Sequence, residues 1–158
     1  MMRVRRFFGK LYNFWYFRKE IWNFQAWDYS YQLRLWRKSL VPLRDCLING
    51  YEVHVPRMAK VAAIQEAIDL IDDILADNYI DTAEDILGIN FLKATLEESG
   101  KVAELANELA QKDWQRLWRI MEGQNHNEYV MLLDRNEDPK RDIWAEWFDG
   151  TDMRGWWD

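Results

Sequence analysis

Between Tyr29 and Leu47 apolar side chains recur at Tyr29, Leu33, Trp36, Leu40, Leu43 and Leu47, with successive spacings of 4, 3, 4, 3 and 4. That is the narrow stripe of an amphipathic helix. Asp28 stands just before it, where a carboxylate can accept from backbone N–H groups two or three residues on. Asn49-Gly50 predicts the stop, with Gly50 taking the left-handed conformation. Pro42 falls inside the helix, opposite the stripe. It removes one backbone donor and predicts a bend convex to solvent. The next pattern is wider: Val61, Ile64, Ile68, Ile71 and Leu75 form one stripe, and Ala63, Ala67, Leu70 and Ile74 form a second beside it. A helix over residues 56–77, opening on Pro56, would then be apolar on about half its circumference, wider than a surface helix needs. It is expected to be central and covered on two sides.

Asp81-Thr82-Ala83-Glu84 has capping-box spacing and predicts a third helix, weakened at Gly88 and ended by Ser99-Gly100, with Ile89, Leu92 and Leu96 inward. A fourth helix over residues 101–122 is expected to bury Ala103, Ala106, Ala110, Trp114, Leu117 and Met121 and to stop at Gly123. A short helix holding Ile143, Trp144, Trp147 and Phe148 follows. Residues 51–55 and 128–133 are apolar and alternating enough to pair as a two-stranded ribbon. The fold class is all-α: a four-helix bundle-like core, a basic aromatic N-terminal arm and a short C-terminal helix. The arm, residues 1–26, is expected to pack on a single helical domain, residues 27–158.

Charge changes this picture more than composition does. The net charge is −6, but residues 1–48 carry ten Lys or Arg against three acids, and residues 49–158 carry eleven against twenty-four. The halves therefore stand at +7 and −13. Such asymmetry predicts an arm with an anionic partner, or one folded against its own acidic body. The apolar content of 49% and charged content of 30% are those of a globular chain. Lys10, Asn13, Arg18 and Lys19 interrupt every candidate signal peptide, and no stretch has the length of a membrane span. With a single cysteine, Cys46, expected to pack as a small hydrophobe, the chain is read as cytosolic.

Few residues suggest catalysis. Glu66, Asp69 and Asp73 stand at i, i+3 and i+7 with Asp72 beside them, an arrangement by which helical nucleotide hydrolases hold Mg²⁺. Helical arithmetic sets them on the polar arc of their helix, where a solvated face is expected. His54 and His126 have no second ligand at zinc spacing, and no Gly-rich phosphate loop or nucleophile elbow is present. Asp149-Gly150-Thr151-Asp152 reads as a turn. The arm is the better candidate: Arg3, Arg5 and Arg6 can neutralise phosphates while rings such as Trp15 stack on bases, or the same residues can seat at a membrane surface. Trp156 and Trp157 are candidate partner anchors, with core completion as the alternative for both tryptophans and for the arm.

The block Trp27-Asp28-Tyr29-Ser30-Tyr31 resembles a signature of small proteins encoded by tailed bacteriophages. Ile21-Trp22-Asn23, Leu47-Ile48-Asn49-Gly50, Ala67-Ile68-Asp69-Leu70-Ile71, Asp77-Asn78-Tyr79-Ile80 and the closing Trp156-Trp157-Asp158 extend the resemblance over most of the chain. It implies the cytoplasm of an infected bacterium, or the virion, and carries no catalytic residues with it. The expectation is a tryptophan-rich phage accessory protein that binds a host or phage protein, or nucleic acid, stoichiometrically and without a cofactor. The alternatives are a Mg²⁺-dependent hydrolase on Glu66, Asp69 and Asp73, and a virion structural component.

Overall fold

The computed structural model describes residues 2–50, 57–123 and 126–135 and positions 138, 140, 141, 143, 147, 153 and 156, with the side chains of 2–8, 126, 127 and 129 outside that description. Six helices are present among them: α1 (Met2–Trp22), α2 (Tyr29–Asn49), α3 (Arg57–Ala76), α4 (Tyr79–Leu87), α5 (Leu96–Glu122) and α6 (His126–Asp134). The fold is all-α, with no strand among the described residues. The expected ribbon is absent at residues 128–133, which belong to α6; its other half, residues 51–55, lies outside the described residues, as does Pro56.

Helix α2 begins where its cap predicts, the backbone N–H of Ser30 donating to Asp28 Oδ1 at 2.8 Å. Its end has a different cause from the one expected. Gly50 is extended, at φ −89°, not left-handed. What it supplies is room, since a Cβ there would sit 2.6 Å from the carbonyl oxygen of Cys46. Cys46 itself is exposed and not packed, because it lies off the Leu33/Leu40 line of the helix.

Helix α3 takes the central place its double stripe predicts. Ala63, Ile64, Ala67, Ile68, Ile71 and Ile74 are buried, with α2 against one side and α5 against the other. Ala63 and Ala67 bring the backbones close, and the isoleucines fill the space between. Leu33 and Leu40 of α2, Leu117 and Ile120 of α5, and Trp156 complete this core. Arg37 pairs with both oxygens of Asp72 across α2/α3, and Arg116 with both oxygens of Glu66 across α3/α5. Both pairs are about half exposed, so each is worth at most about 1 kcal/mol. Their bidentate geometry fixes how the helices are turned more than how tightly they hold.

The third and fourth helices divide elsewhere than expected. Helix α4 ends at Gly88, left-handed at φ 65°, and Ser99-Gly100 lies inside α5 instead of ending a helix. The capping box used is Thr95–Glu98: Thr95 Oγ1 accepts from the Glu98 N–H, and the Glu98 carboxylate accepts from the Thr95 N–H. Glycine inside a helix costs about 1 kcal/mol, which a complete box offsets. The Asp81–Glu84 box is not formed; Glu84 instead accepts from the backbone N–H of Phe91 and shapes the turn. Because α5 starts early, Leu92 and Leu96 face water. Ala103 is exposed and Trp114 partly so, while Val102 takes the inward place. Ala83, Val102 and Ala106 form a second, small core with Tyr79, Ile89 and Phe91 around it. The neighbours therefore run α1, α2, α3, α5, α4, and the main helices divide between two cores. At the C-terminal end, Ile143 and Trp147 are buried; Trp144 and Phe148 lie outside the described residues.

Candidate binding interface

Helix α1 is joined to α2 by the turn at residues 23–28 and runs back along it. Proline decides where it docks. Pro42 has no N–H to give the carbonyl of Lys38, four residues earlier. The Tyr16 hydroxyl of α1 donates to that same carbonyl at 3.1 Å. Lys38 Nζ bonds Glu20 Oε2 at 2.6 Å and lies 4.9 Å from the Tyr16 ring centroid. Burial is the largest single influence and works to raise the Glu20 carboxyl, but the hydrogen bonds from Lys38 and the backbone, with the charges of Lys38 and Lys19, together outweigh it and the group is lowered. Phe17 fills the remaining contact, edge-on to Tyr16 at 4.9 Å. The defect in one helix thus becomes the seat of the other.

The arm touches α2 alone among the described helices, so it is not sunk into the body. At about 100° per residue, Leu11, Trp15, Arg18 and Trp22 fall on the side away from α2. All four are exposed, Trp15 at 55% and Trp22 at 91%. Arg18 lies over the Trp15 ring at 4.8 Å, a cation–π contact on a surface open to solvent. Phe14 is exposed beside them. Trp27 follows at 83% exposure. Monomeric chains rarely leave so many adjoining rings in water without a use.

Two further features border α1. On one side, Phe17, Ile21 and Phe24 face Leu35 and Trp36 across an apolar trough, and Trp36 also lines a second trough of about 310 Å³ between α2 and α5, with Tyr29, Trp114 and Trp118. Tyr29 and Trp114 meet edge-on there at 5.5 Å. On the other side is a polar cleft where Lys19 of α1 faces Arg34, Arg37 and Lys38 of α2. Sequence reasoning placed Lys19 in the basic arm but assigned none of these four cations to a site. Their signal was present, since Arg34 and Lys38 share one face of α2 off the apolar stripe, but only the docking of α1 brings Lys19 opposite them.

The other candidate residues are placed as follows. Arg3, Arg5 and Arg6 belong to α1, their side chains outside the described residues. Trp15 is on the open face. Trp156 is 1% exposed in the main core, so as a surface anchor it is corrected: its ring is already covered by its own chain. Trp157, His54 and residues 149–152 lie outside the described residues. On α3, Glu66 is held by Arg116, Asp72 by Arg37, and Asp69 accepts from Gln65 Nε2 at 2.7 Å. The polar arc is thus partly an ion-paired seam between helices instead of a freely solvated face. Among the described residues no three His, Cys, Asp or Glu side chains come together as a metal site. Glu66, Asp69 and Asp73 are therefore spread along the helix and not gathered on a common point.

No protein-family model, curated protein or solved structure matches the chain.

Asp73 has a different environment from its neighbours. It lines a polar pocket with Tyr79, whose hydroxyl donates to Asp113 Oδ2 at 3.0 Å. Burial, then the charges of Asp113, Asp69 and Asp72, raise the Asp73 carboxyl above its ordinary value of 3.8. The native state therefore holds that proton more tightly than the unfolded chain does. Ionised Asp73 costs stability, with the penalty absent below the ordinary value and complete above the raised one. Asp73→Asn is expected to raise the urea midpoint at neutral pH and to leave it unchanged near pH 3. Equal gains at both pH values would show that charge is not the cause.

Proposed function

We propose that this chain acts by stoichiometric binding, as an accessory protein in a phage-infected bacterial cytoplasm, engaging a host or phage macromolecule through the open face of α1. The observation that carries the reading is the exposed Leu11–Trp15–Arg18–Trp22 stripe on a helix anchored along its opposite side. A ring already ordered by its helix loses little entropy on binding, which is why Trp and Arg dominate interface hot spots. The anchor at Lys38 presents the stripe in one orientation. No helix of the described residues is long and apolar enough to cross a membrane, which suits a surface made to meet a partner from water.

Affinity capture from infected cells tests this. The wild-type chain is expected to recover a partner in stoichiometric amount, and Trp15→Ala with Trp22→Ala to reduce recovery at least about tenfold. Both rings are exposed, so the variant should keep its fold. Mg²⁺-dependent release of phosphate or pyrophosphate from a nucleotide, abolished by Asp69→Ala with Asp73→Ala, would replace this reading with a hydrolase. Recovery of the chain in purified particles would make the same surface part of a virion.

A further inference from the structure

We infer that the cleft between α1 and α2 seats the phosphodiester backbone of a single-stranded nucleic acid, with the exposed rings of α1 stacking on its bases. This rests on the binding reading above and names the partner class for that surface. The cleft, of about 470 Å³, is walled by both helices. Lys19, Arg34, Arg37 and Lys38 line it against one acid, Glu20, in a chain whose net charge is −6. Two of the cations are held in place, Arg37 by Asp72 and Lys38 by Glu20. Lys19 and Arg34 form no salt bridge among the described residues, Lys19 reaching Glu20 only through its charge, and Arg34 rests 5.7 Å from the Tyr31 ring. The wall thus combines fixed cations that shape the field with two that are open to neutralise phosphates.

Aromatic surface continues directly from the lip. At about 100° per residue, Tyr12 and Trp15 flank Lys19 on α1, and the Tyr12 and Tyr16 rings stack at 6.1 Å and 18°. Cations lie over ring faces at Trp15 and Tyr16. Charge and π-surface therefore interleave along α1 and the adjoining wall of α2, as phosphate and base interleave along a single strand. An acidic amphipathic helix separates its charges and apolar groups onto two faces, and a duplex hides its base faces. A lipid headgroup plane reaches a convex surface but not cations set between two helices. A flexible strand satisfies both features at once.

The test uses the full chain and a fluorescent thymidine oligonucleotide of about 12 nucleotides, read by anisotropy across a salt series. Wild type is expected to bind with a log–log salt slope of about −1.4, the value for two phosphates neutralised on a single strand. Lys19→Glu with Arg34→Glu is expected to weaken binding at least about tenfold, while Lys112→Glu, the same kind of charge change on α5, shifts it less than about twofold. Tryptophan quenching on binding should fall in Trp15→Ala, a change that a purely electrostatic contact would not produce. Circular dichroism melts establish that each variant is folded. Absence of binding at low salt, or unchanged binding by the Lys19/Arg34 variant, overturns the inference. Tighter binding to the matching duplex, or to phosphatidylserine vesicles in place of the oligonucleotide, also overturns it. If the oligonucleotide fails while Trp15→Ala with Trp22→Ala still loses a captured protein, this inference falls and stoichiometric binding stands.

Discussion

Trp156→Ala is expected to lower the unfolding free energy by about 3–5 kcal/mol, the cost of emptying the site of a buried aromatic ring. Trp156 is among the largest fully buried side chains and closes the cluster formed by α2, α3 and α5. Its removal leaves a cavity in the cluster that also holds Leu40, Ile64 and Leu117, one that rigid helices cannot collapse to fill. Urea unfolding followed by circular dichroism checks this, the midpoint falling with little change in slope. The result also separates two roles for a C-terminal tryptophan. A shift below about 1 kcal/mol, together with loss of a bound partner, would show that the ring serves an interface and not the core.

The second large effect is a contrast between two residues that lie on apolar helical patterns. Ile71→Ala is expected to cost about 2–5 kcal/mol, because Ile71 is fully buried where α3 meets its neighbours. Leu96→Ala is expected to change stability by less than about 0.5 kcal/mol, because Leu96 is 92% exposed at the first turn of α5. Both figures come from the same denaturation experiment. A large loss at Leu96 would mean that the second core extends over the α4–α5 turn. A small loss at Ile71 would deny α3 its central place.

That contrast marks how far periodicity reaches. The α2 stripe, its Asp28 cap and the doubly apolar α3 were legible in the residues, because helix period and capping depend on groups within a turn or two of one another. The α4/α5 boundary was legible in principle and misread. Two capping boxes competed, and Ser99-Gly100 looked like a stop. Thr95–Glu98 took precedence because its two hydrogen bonds both form and the helix that follows is long enough to absorb one glycine. The site was less legible still. Tyr16, Glu20, Lys19, Arg34 and Lys38 are up to 22 residues apart, and no local rule connects them. Pro42 announced a bend, but nothing near it in the chain announced which side chain would take up the freed carbonyl.

The sequence by itself determined that this is an all-α chain, that α3 must be covered on two sides, and that a basic aromatic segment precedes an acidic body. Each follows from the spacing of side chains along one helix or from a count of charges. The tertiary structure decided which apolar faces receive a partner. Rings surround α1 on every side, so its pattern names no contact face; docking chose the Tyr16–Glu20 side and left Trp15 and Trp22 in water. Tertiary packing also drew Trp156 into the core and set Lys19 across from Arg34. The physical reason is common to all three: burial is a property of a pair of surfaces, and a sequence specifies one surface at a time.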